Sequence, residues 1–576
     1  MKTFRDAPDL KRGISVCVLF ISIGAICYFL TTNLRPVPDP AELLPPSTVA
    51  LLKWNNFAKS FERFKTSPVG KKLLDRDLAD DLELCGICLT SQLQIQRLAD
   101  TIEKISNHSL FPMLLGKRAS VALLPPAHDN LDISEFLEQN LVFMAEVKGP
   151  FAEYAIRQRL TSYITSNPEL FQGIEVNQIT MRDGQHAYFA LIDRMLVAAG
   201  SKKVIQRCLQ VYKDRLIRPR VSLIQDHTYT RLKQYTPEQE VCFMYINPGF
   251  EKNGWQLAHF LPRQGAGFLG PDTRFLFLHQ KNKDRDHFSF VAAGIPQEAD
   301  TLFKKYFAAT PKVHQHLSMI DANASAYLWT NWFDLQSLWQ GLSETSEMQT
   351  AAILFYVNNI VQDHTGLDME TLTGMFGDEL GLLITDFPST DFATVPMICL
   401  QIKIKDSHAV RRLLRKMLVN VPSRSVVVEG VPGTSLVLAN GLIEPTYLFY
   451  EDYLVIADSA ELIRHWVGTQ KKKMVASTEF KMVENGLLST NNFLSYARID
   501  KVNNGLEKML QWTLYSLNQA EWITLQQAAF IQDEVVKTLF ESLQAVRSQG
   551  IRVVMKDDVL LGELNLYSPQ TIRNTK

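Results

Sequence analysis

From residue 48 onward the apolar positions of the chain switch between two spacings. Period-two runs predict half-buried strands: LGKRASVALLPP from Leu115, NLVFMAEVKG around Val142, FGDELGLLITDF from Phe376 and VPMICLQIKIKD around Cys399. FAEYAIRQRL from Phe151 and SHAVRRLLRKML from Ser407 instead place apolar residues three and four apart, the spacing of an amphipathic helix. RFLFLHQ and FSFVAAG flank NKDRDHF, so Asp284, Asp286 and His287 read as the polar turn of a hairpin.

The order of these elements occurs twice. Gly116 and Gly377 each stand where a helix end turns into a strand, and in the helix after the next strand Ala152 aligns with Ala409 and Ile156 with Leu413. AYFALIDRMLVAAGSKKVIQRCL from Ala187 lies over PTYLFYEDYLVIADSAELIRHWV from Pro445, so that Leu196, Val197, Ala199, Ser201 and Ile205 fall on Leu454, Val455, Ala457, Ser459 and Ile463. Both read strand, turn, strand, helix, with Asp193-Arg194 and Glu451-Asp452 in the turn and Ser201 and Ser459 as N-caps. ALLKWNNF from Ala50 resembles AYLWTNWF from Ala326, and EVCFMYINPGF from Glu240 parallels NNFLSYARID from Asn491. The expected fold is therefore α+β: two duplicated lobes of mainly antiparallel sheet covered by helices, over residues 48–315 and 316–576. The second lobe carries a helical insertion over 502–547, where Leu506, Met509, Leu510, Leu517, Leu525, Phe530, Val535, Leu539 and Leu543 recur at helical spacing. Two packed helices covering the sheet are expected there, with a partner- or membrane-touching surface as the alternative.

Residues 14–30, ISVCVLFISIGAICYFL, contain no charge, and Thr31 and Thr32 extend the run. A helix of that length is near the short end of what crosses a hydrocarbon core about 30 Å thick. Secretory signals have apolar regions of about 7–15 residues and a small-x-small cleavage site, whereas here Tyr28, Phe29 and Leu30 lead into Thr31, Thr32 and Asn33. An uncleaved transmembrane anchor over 14–32 is expected. Lys2, Arg5, Lys11 and Arg12 precede it and only Arg35 and Lys53 follow closely, which places residues 1–13 in the cytoplasm. The protein then reads as a single-pass inner (plasma) membrane protein with a periplasmic or extracellular body. Pro36, Pro38, Pro40, Pro45 and Pro46 predict a stiff spacer over 33–47 that lifts the body off the bilayer.

Taken together, the anchor, the Pro-rich stretch ahead of TVALLKWNNF, the TSPVGKKL segment, the LGKR and FGDEL strand starts and the hairpin-helix YEDYLVIADSAELI resemble an uncharacterised bacterial membrane-anchored envelope family. That family is known only as a domain of unknown function, and the resemblance implies no catalytic residues.

Sixty basic against sixty-one acidic residues, a net charge of -1, supply no positive field for nucleic acid. Of seven cysteines only Cys85 and Cys88 form a pattern, CGIC, the spacing of redox sites in which a helix N-terminus lowers a thiol pKa. A structural disulfide or plain packing fits ELCGICL equally. GAGFLG at 265–270 matches the dinucleotide fingerprint in form, but HFLPRQ precedes it where a buried strand is required and Pro271-Asp272 interrupts the helix, so no cofactor is expected. His314 and His316 would share one face of a strand, yet ATPKVHQHLSM reads as an exposed link between the halves and no metal is expected. The function expected is a noncatalytic binding or scaffolding component of the envelope, partnered by the inner membrane and by an envelope protein or lipid. The alternatives are an exoplasmic enzyme, whether a redox protein using Cys85 and Cys88 or an unrecognised hydrolase, and a lipid-handling protein with an apolar cavity.

Overall fold

The computed structural model describes residues 37–73, 111–126, 139–147, 168–180, 186–235, 240–248, 273–282, 284–294, 309–344, 348–388, 395–468, 472–556 and 558–569, with isolated positions between them. The chain divides into two units, the first built from Met1–Arg63, Ile102–Pro237 and Val241–Phe260, the second from Phe64–Thr101, Glu238–Glu240 and Leu261–Lys576.

The strands of the first unit are β1 (Ala50–Asn55), β2 (Arg118–Leu123), β3 (Leu141–Glu146), β4 (Glu169–Phe171), β5 (Ile174–Thr180), β6 (His186–Ile192), β7 (Met195–Ala199) and β8 (Cys242–Ile246). Every described pairing is antiparallel, in the order β4-β5-β6-β7-β3-β2-β1-β8. The hairpins β4–β5 and β6–β7 turn through Gln172-Gly173 and Asp193-Arg194, all four with positive φ, the tight-turn geometry that follows the twist of paired strands. Val142, Met144 and Val197 on one face of the sheet are buried, as are Ile205, Cys208 and Leu209 of the helix Lys202–Asp214, which packs on β6 and β7. Ser201 stands at the N-cap of that helix but its hydroxyl makes no capping bond.

From Asp39 onward the Pro-rich stretch is part of this unit rather than a spacer. Ala41, Leu43 and Leu44 are fully buried. Asp39 caps a turn of 3-10 helix, Pro40–Glu42, through Ala41 N at 2.9 Å and accepts from Lys53 Nζ at 2.7 Å. Proline stiffens the chain, but the apolar residues between the prolines give it surface to bury.

The second unit contains β9 (Arg274–Lys281), β10 (Arg285–Ala293), β11 (Ala326–Thr330), β12 (Phe376–Ile384), β13 (Ile398–Ile404), β14 (Ser423–Val428), β15 (Val431–Leu436), β16 (Thr446–Tyr450), β17 (Tyr453–Ala457), β18 (Phe493–Ala497), β19 (Ser548–Lys556) and β20 (Val559–Tyr567). Their antiparallel order is β14-β15-β16-β17-β13-β12-β11-β18-β19-β20-β10-β9. From β14 to β18 this is the strand order of the first unit, position for position. Register agrees as well: Leu51 faces Tyr245 as Tyr327 faces Tyr496, and Val142 faces Ala199 as Cys399 faces Ala457. Glu429-Gly430 take the positive φ of Gln172-Gly173. Here the N-cap serine does act, with Ser459 Oγ accepting from Leu462 N at 3.3 Å at the start of Ala460–Val467. Buried Trp329, Trp466, Tyr327 and Tyr496 centre the core of this unit.

The β9–β10 hairpin, which its place in the sequence assigns to the first lobe, belongs to the second unit because β10 pairs along its whole length with β20. Asp286 and His287 lie within β10 rather than in the turn, where Asp286 accepts from His279 at 3.0 Å. The inserted region folds as the helix Ile499–Gln519, followed by Leu525–Phe530 running through a π-helical stretch, Ile531–Val536, into Lys537–Leu543. The architecture is α+β, with extensive antiparallel sheet and helices. Among the described residues no helix is long and apolar enough to cross a membrane, and residues 14–32 lie outside them.

Candidate functional site

Along β12 the sequence FGDELGLLI buries every second residue, which turns Gly377, Glu379, Gly381 and Leu383 inward. A carboxylate in that position needs partners. Glu379 Oε1 accepts from Lys312 Nζ at 2.7 Å and Lys403 Nζ at 2.8 Å, while Oε2 accepts from Tyr453 OH at 2.8 Å and Trp329 Nε1 at 3.1 Å. Gly377 leaves room for this: a Cβ there would stand 2.8 Å from Cγ of Lys403, whose stem crosses β12 to reach the carboxylate. Burial alone would raise the Glu379 pKa, but the hydrogen bonds from Lys312, Lys403 and Tyr453 bring it down to about 2.

The HQH motif lies against this cluster and is not an exposed link. His314 is buried, stacked on Trp329 with centroids 4.6 Å apart, and its Nε2 is 2.6 Å from Tyr327 OH. Burial, helped by the neighbouring His316, pushes its pKa down to about 3. His316 packs edge-on to Tyr453 and reaches Glu451 at 3.2 Å. No group of three His, Cys, Asp or Glu among the described residues is placed to hold a metal ion. Proton transfer near neutrality wants a group with a pKa close to 7. Glu379 lies far below that, His314 lies well below, and burial beside the Glu379 charge drives Tyr453 far above.

The first unit carries a cluster at the matching positions with four charges reversed, although Lys53, which holds Asp39 at 2.7 Å, stands where the second unit has the uncharged Trp329. Arg118 and Glu146 adjoin the Ala119–Ala145 pair of β2 and β3 as Glu379 and Lys403 adjoin the Leu380–Ile402 pair of β12 and β13. Arg118 lies 3.3 Å from Glu146 and 3.8 Å from Asp39, and Lys117 lies 2.9 Å from Glu146. Lys117, Arg118 and Glu146 thus stand where the second unit has Asp378, Glu379 and Lys403, and Asp39 ahead of β1 takes the part of Lys312 ahead of β11. Reading for motifs misses this cluster, although LGKR over FGDEL already shows the opposite charges after the matched glycines.

A cavity of about 650 Å³ opens elsewhere in the second unit, lined by Asp386, Phe387, Glu461, His465, Lys501 and Lys508 among others. Phe387 rests on the helix Ile499–Gln519 at Gly505, where a Cβ would come within 2.1 Å of its ring. Lys501 donates to Asn323 O at 2.9 Å and His465 approaches Asp321 at 3.3 Å. A lining that mixes cations and carboxylates with Phe387, Met397 and Leu462 suits a small polar ligand, and the volume falls in the range of roughly 300–1,000 Å³ usual for such sites. Cys85, Cys88 and the 265–270 glycines lie outside the described residues. Cys208 and Cys399 are buried, and burial pushes both thiols up to about 12, which leaves them unreactive.

None of the curated proteins matches the chain. Among solved structures, crystal form III of TP0453 is similar over 49% of this chain and 91% of its own, with 10% identity and a TM-score of 0.25. The crystal structure of RctB domains 2-3 is similar over 52% of this chain and 92% of its own, with 6% identity and a TM-score of 0.07. Likenesses that slight carry no argument. The chain belongs to the family described as Protein of unknown function (DUF3352), whose model matches residues 114–532.

Proposed function

We propose that this is an envelope protein anchored by residues 14–32, with a cytoplasmic N-terminus and an outside body that arose by duplication and serves as a noncatalytic binding or scaffolding component. The shared strand order, register and turn geometry of the two units support the duplication. The observation that carries the functional reading is the reversal of charge between the clusters at Arg118 and Glu379. A reaction repeated in both halves needs the same acid and base in each, whereas a cluster that only fastens strands needs attraction and tolerates exchange of sign. Within the second unit, the cavity beside Lys501 and Lys508 is the place for a small ligand. Its mixed-charge lining suits acyl chains poorly, so lipid handling takes second place.

The test is purification of the full chain from detergent-solubilised membranes after an alkaline carbonate wash, with mass spectrometry of co-purifying proteins and lipids. The expected result is a chain retained by the membrane that brings down the same partner in repeated preparations. Absence of any specific partner, together with substrate turnover by the purified protein, would overturn the reading.

A further inference from the structure

We propose that the loop 213–220 of the first unit docks on the surface of an anionic lipid bilayer, beside the point where the N-terminal chain enters the body. The proposal rests on the reading of residues 14–32 as a membrane anchor.

At the end of the helix Lys202–Asp214 the chain presents Leu216 and Ile217, 79% and 80% exposed, among Lys213, Arg218 and Arg220. The loop is built rather than loose. Ile217 N and Arg218 N donate to Asp214 O at 2.9 and 2.8 Å, and Gln225 Nε2 donates to Arg215 O at 3.3 Å. Arg220 holds a left-handed φ of 61°, which turns the chain back toward the body. Two further contacts tie this region to the N-terminal segment: Arg215 Nη2 lies 2.9 Å from Glu42, and Leu223 N donates to Leu44 O at 2.7 Å.

That segment limits how far the loop can stand from a bilayer. Asp39 is fixed by Lys53 at 2.7 Å, and only residues 31–38 separate it from the end of the uncharged run at Leu30. At about 3.3–3.6 Å per residue, a fully extended connection reaches roughly 30 Å. The chemistry of the loop fits what it would meet there. Two aliphatic side chains with no charge between them can enter the headgroup boundary, while flanking Lys and Arg meet anionic headgroups.

Hydrogen exchange read by mass spectrometry tests this on the full chain in nanodiscs of phosphatidylcholine alone and of phosphatidylcholine with phosphatidylglycerol. The amides of 215–218 should exchange several-fold more slowly in the anionic discs. The paired substitutions Leu216→Ser with Ile217→Ser, and separately Arg218→Gln with Arg220→Gln, should each restore the faster rate. Equal exchange of 215–218 in the two discs overturns the proposal, and so does protection seen only in native membranes, which would make the occupant a protein. Release of the full chain by carbonate would remove the anchor and this inference together, whereas a retained chain with an unprotected loop removes the docking alone.

Discussion

Replacing Glu379 by alanine should lower the unfolding free energy of the second unit by about 3–5 kcal/mol, the usual cost of removing one partner from a buried charge cluster. The substitution leaves Lys312 and Lys403 without the carboxylate they share at 2.7 and 2.8 Å, and it strips the acceptor from the buried Tyr453 hydroxyl and Trp329 indole. Asp378 and Asp452 lie 3.5 and 3.7 Å from the two lysines and soften the loss on that side. Among the described residues Glu379 is the acceptor of both the Trp329 indole and the Tyr453 hydroxyl, so most of the cost comes from those donors. Glu379→Gln keeps the shape and one acceptor and should cost less, about 2 kcal/mol. Urea titration checks both, with a shifted midpoint and an unchanged slope expected for each.

Mild acid should weaken the same unit before its carboxylates protonate. His314 is held neutral because burial disfavours the imidazolium, which brings its pKa to about 3 in the folded chain, against about 6.5 when unfolded. Between those values the unfolded chain binds a proton that the folded chain refuses. Stability is therefore complete above pH 6.5 and is lost as the pH falls toward 3, by roughly 4–5 kcal/mol in all. Glu379 acts with the same sign lower down, since its depressed pKa keeps its contribution above the ordinary carboxylate value and loses it as the pH falls toward 2. His316, Lys312 and Arg552 oppose protonation of His314, and the Glu379 charge alone favours it. Urea midpoints at pH 7 and pH 4.5 should differ clearly in the native protein and much less in His314→Gln. Equal midpoints for the native protein would mean that the imidazole is not buried neutral.

What could be read from the sequence was local. Period-two runs placed β2, β3, β12 and β13, and the gapless match of Ala187 onward with Pro445 onward foresaw two hairpins and the helices behind them. The Ser459 cap formed and the Ser201 bond did not, although both serines hold the same position. What stayed hidden depends on partners distant in the chain. The Glu379 cluster draws Lys312, Trp329, Lys403 and Tyr453 from separate segments that only strand pairing brings together. His314 looked exposed because its own neighbours are polar, while the rings that cover it come from β11. The β9–β10 hairpin was readable, but its partner β20 closes the chain, so its unit could not be assigned from position. The leucines at 43 and 44 outweighed the prolines that made their surroundings look like a spacer.

On the reading proposed above, the two clusters hold strands by attraction between opposite charges. Transplanting the charges of Asp39, Arg118 and Glu146 into the second unit, as Lys312→Asp, Glu379→Arg and Lys403→Glu together, tests it through one quantity, the unfolding free energy in urea. Glu379→Arg by itself sets three cations side by side and should cost at least as much as Glu379→Ala. The triple variant still leaves Trp329 and Tyr453 without the Glu379 acceptor and sets Asp378 and Asp452 beside new carboxylates. It should therefore stand above Glu379→Arg but below the native protein, and a triple variant no more stable than Glu379→Arg alone would mean that the charges do more than hold strands.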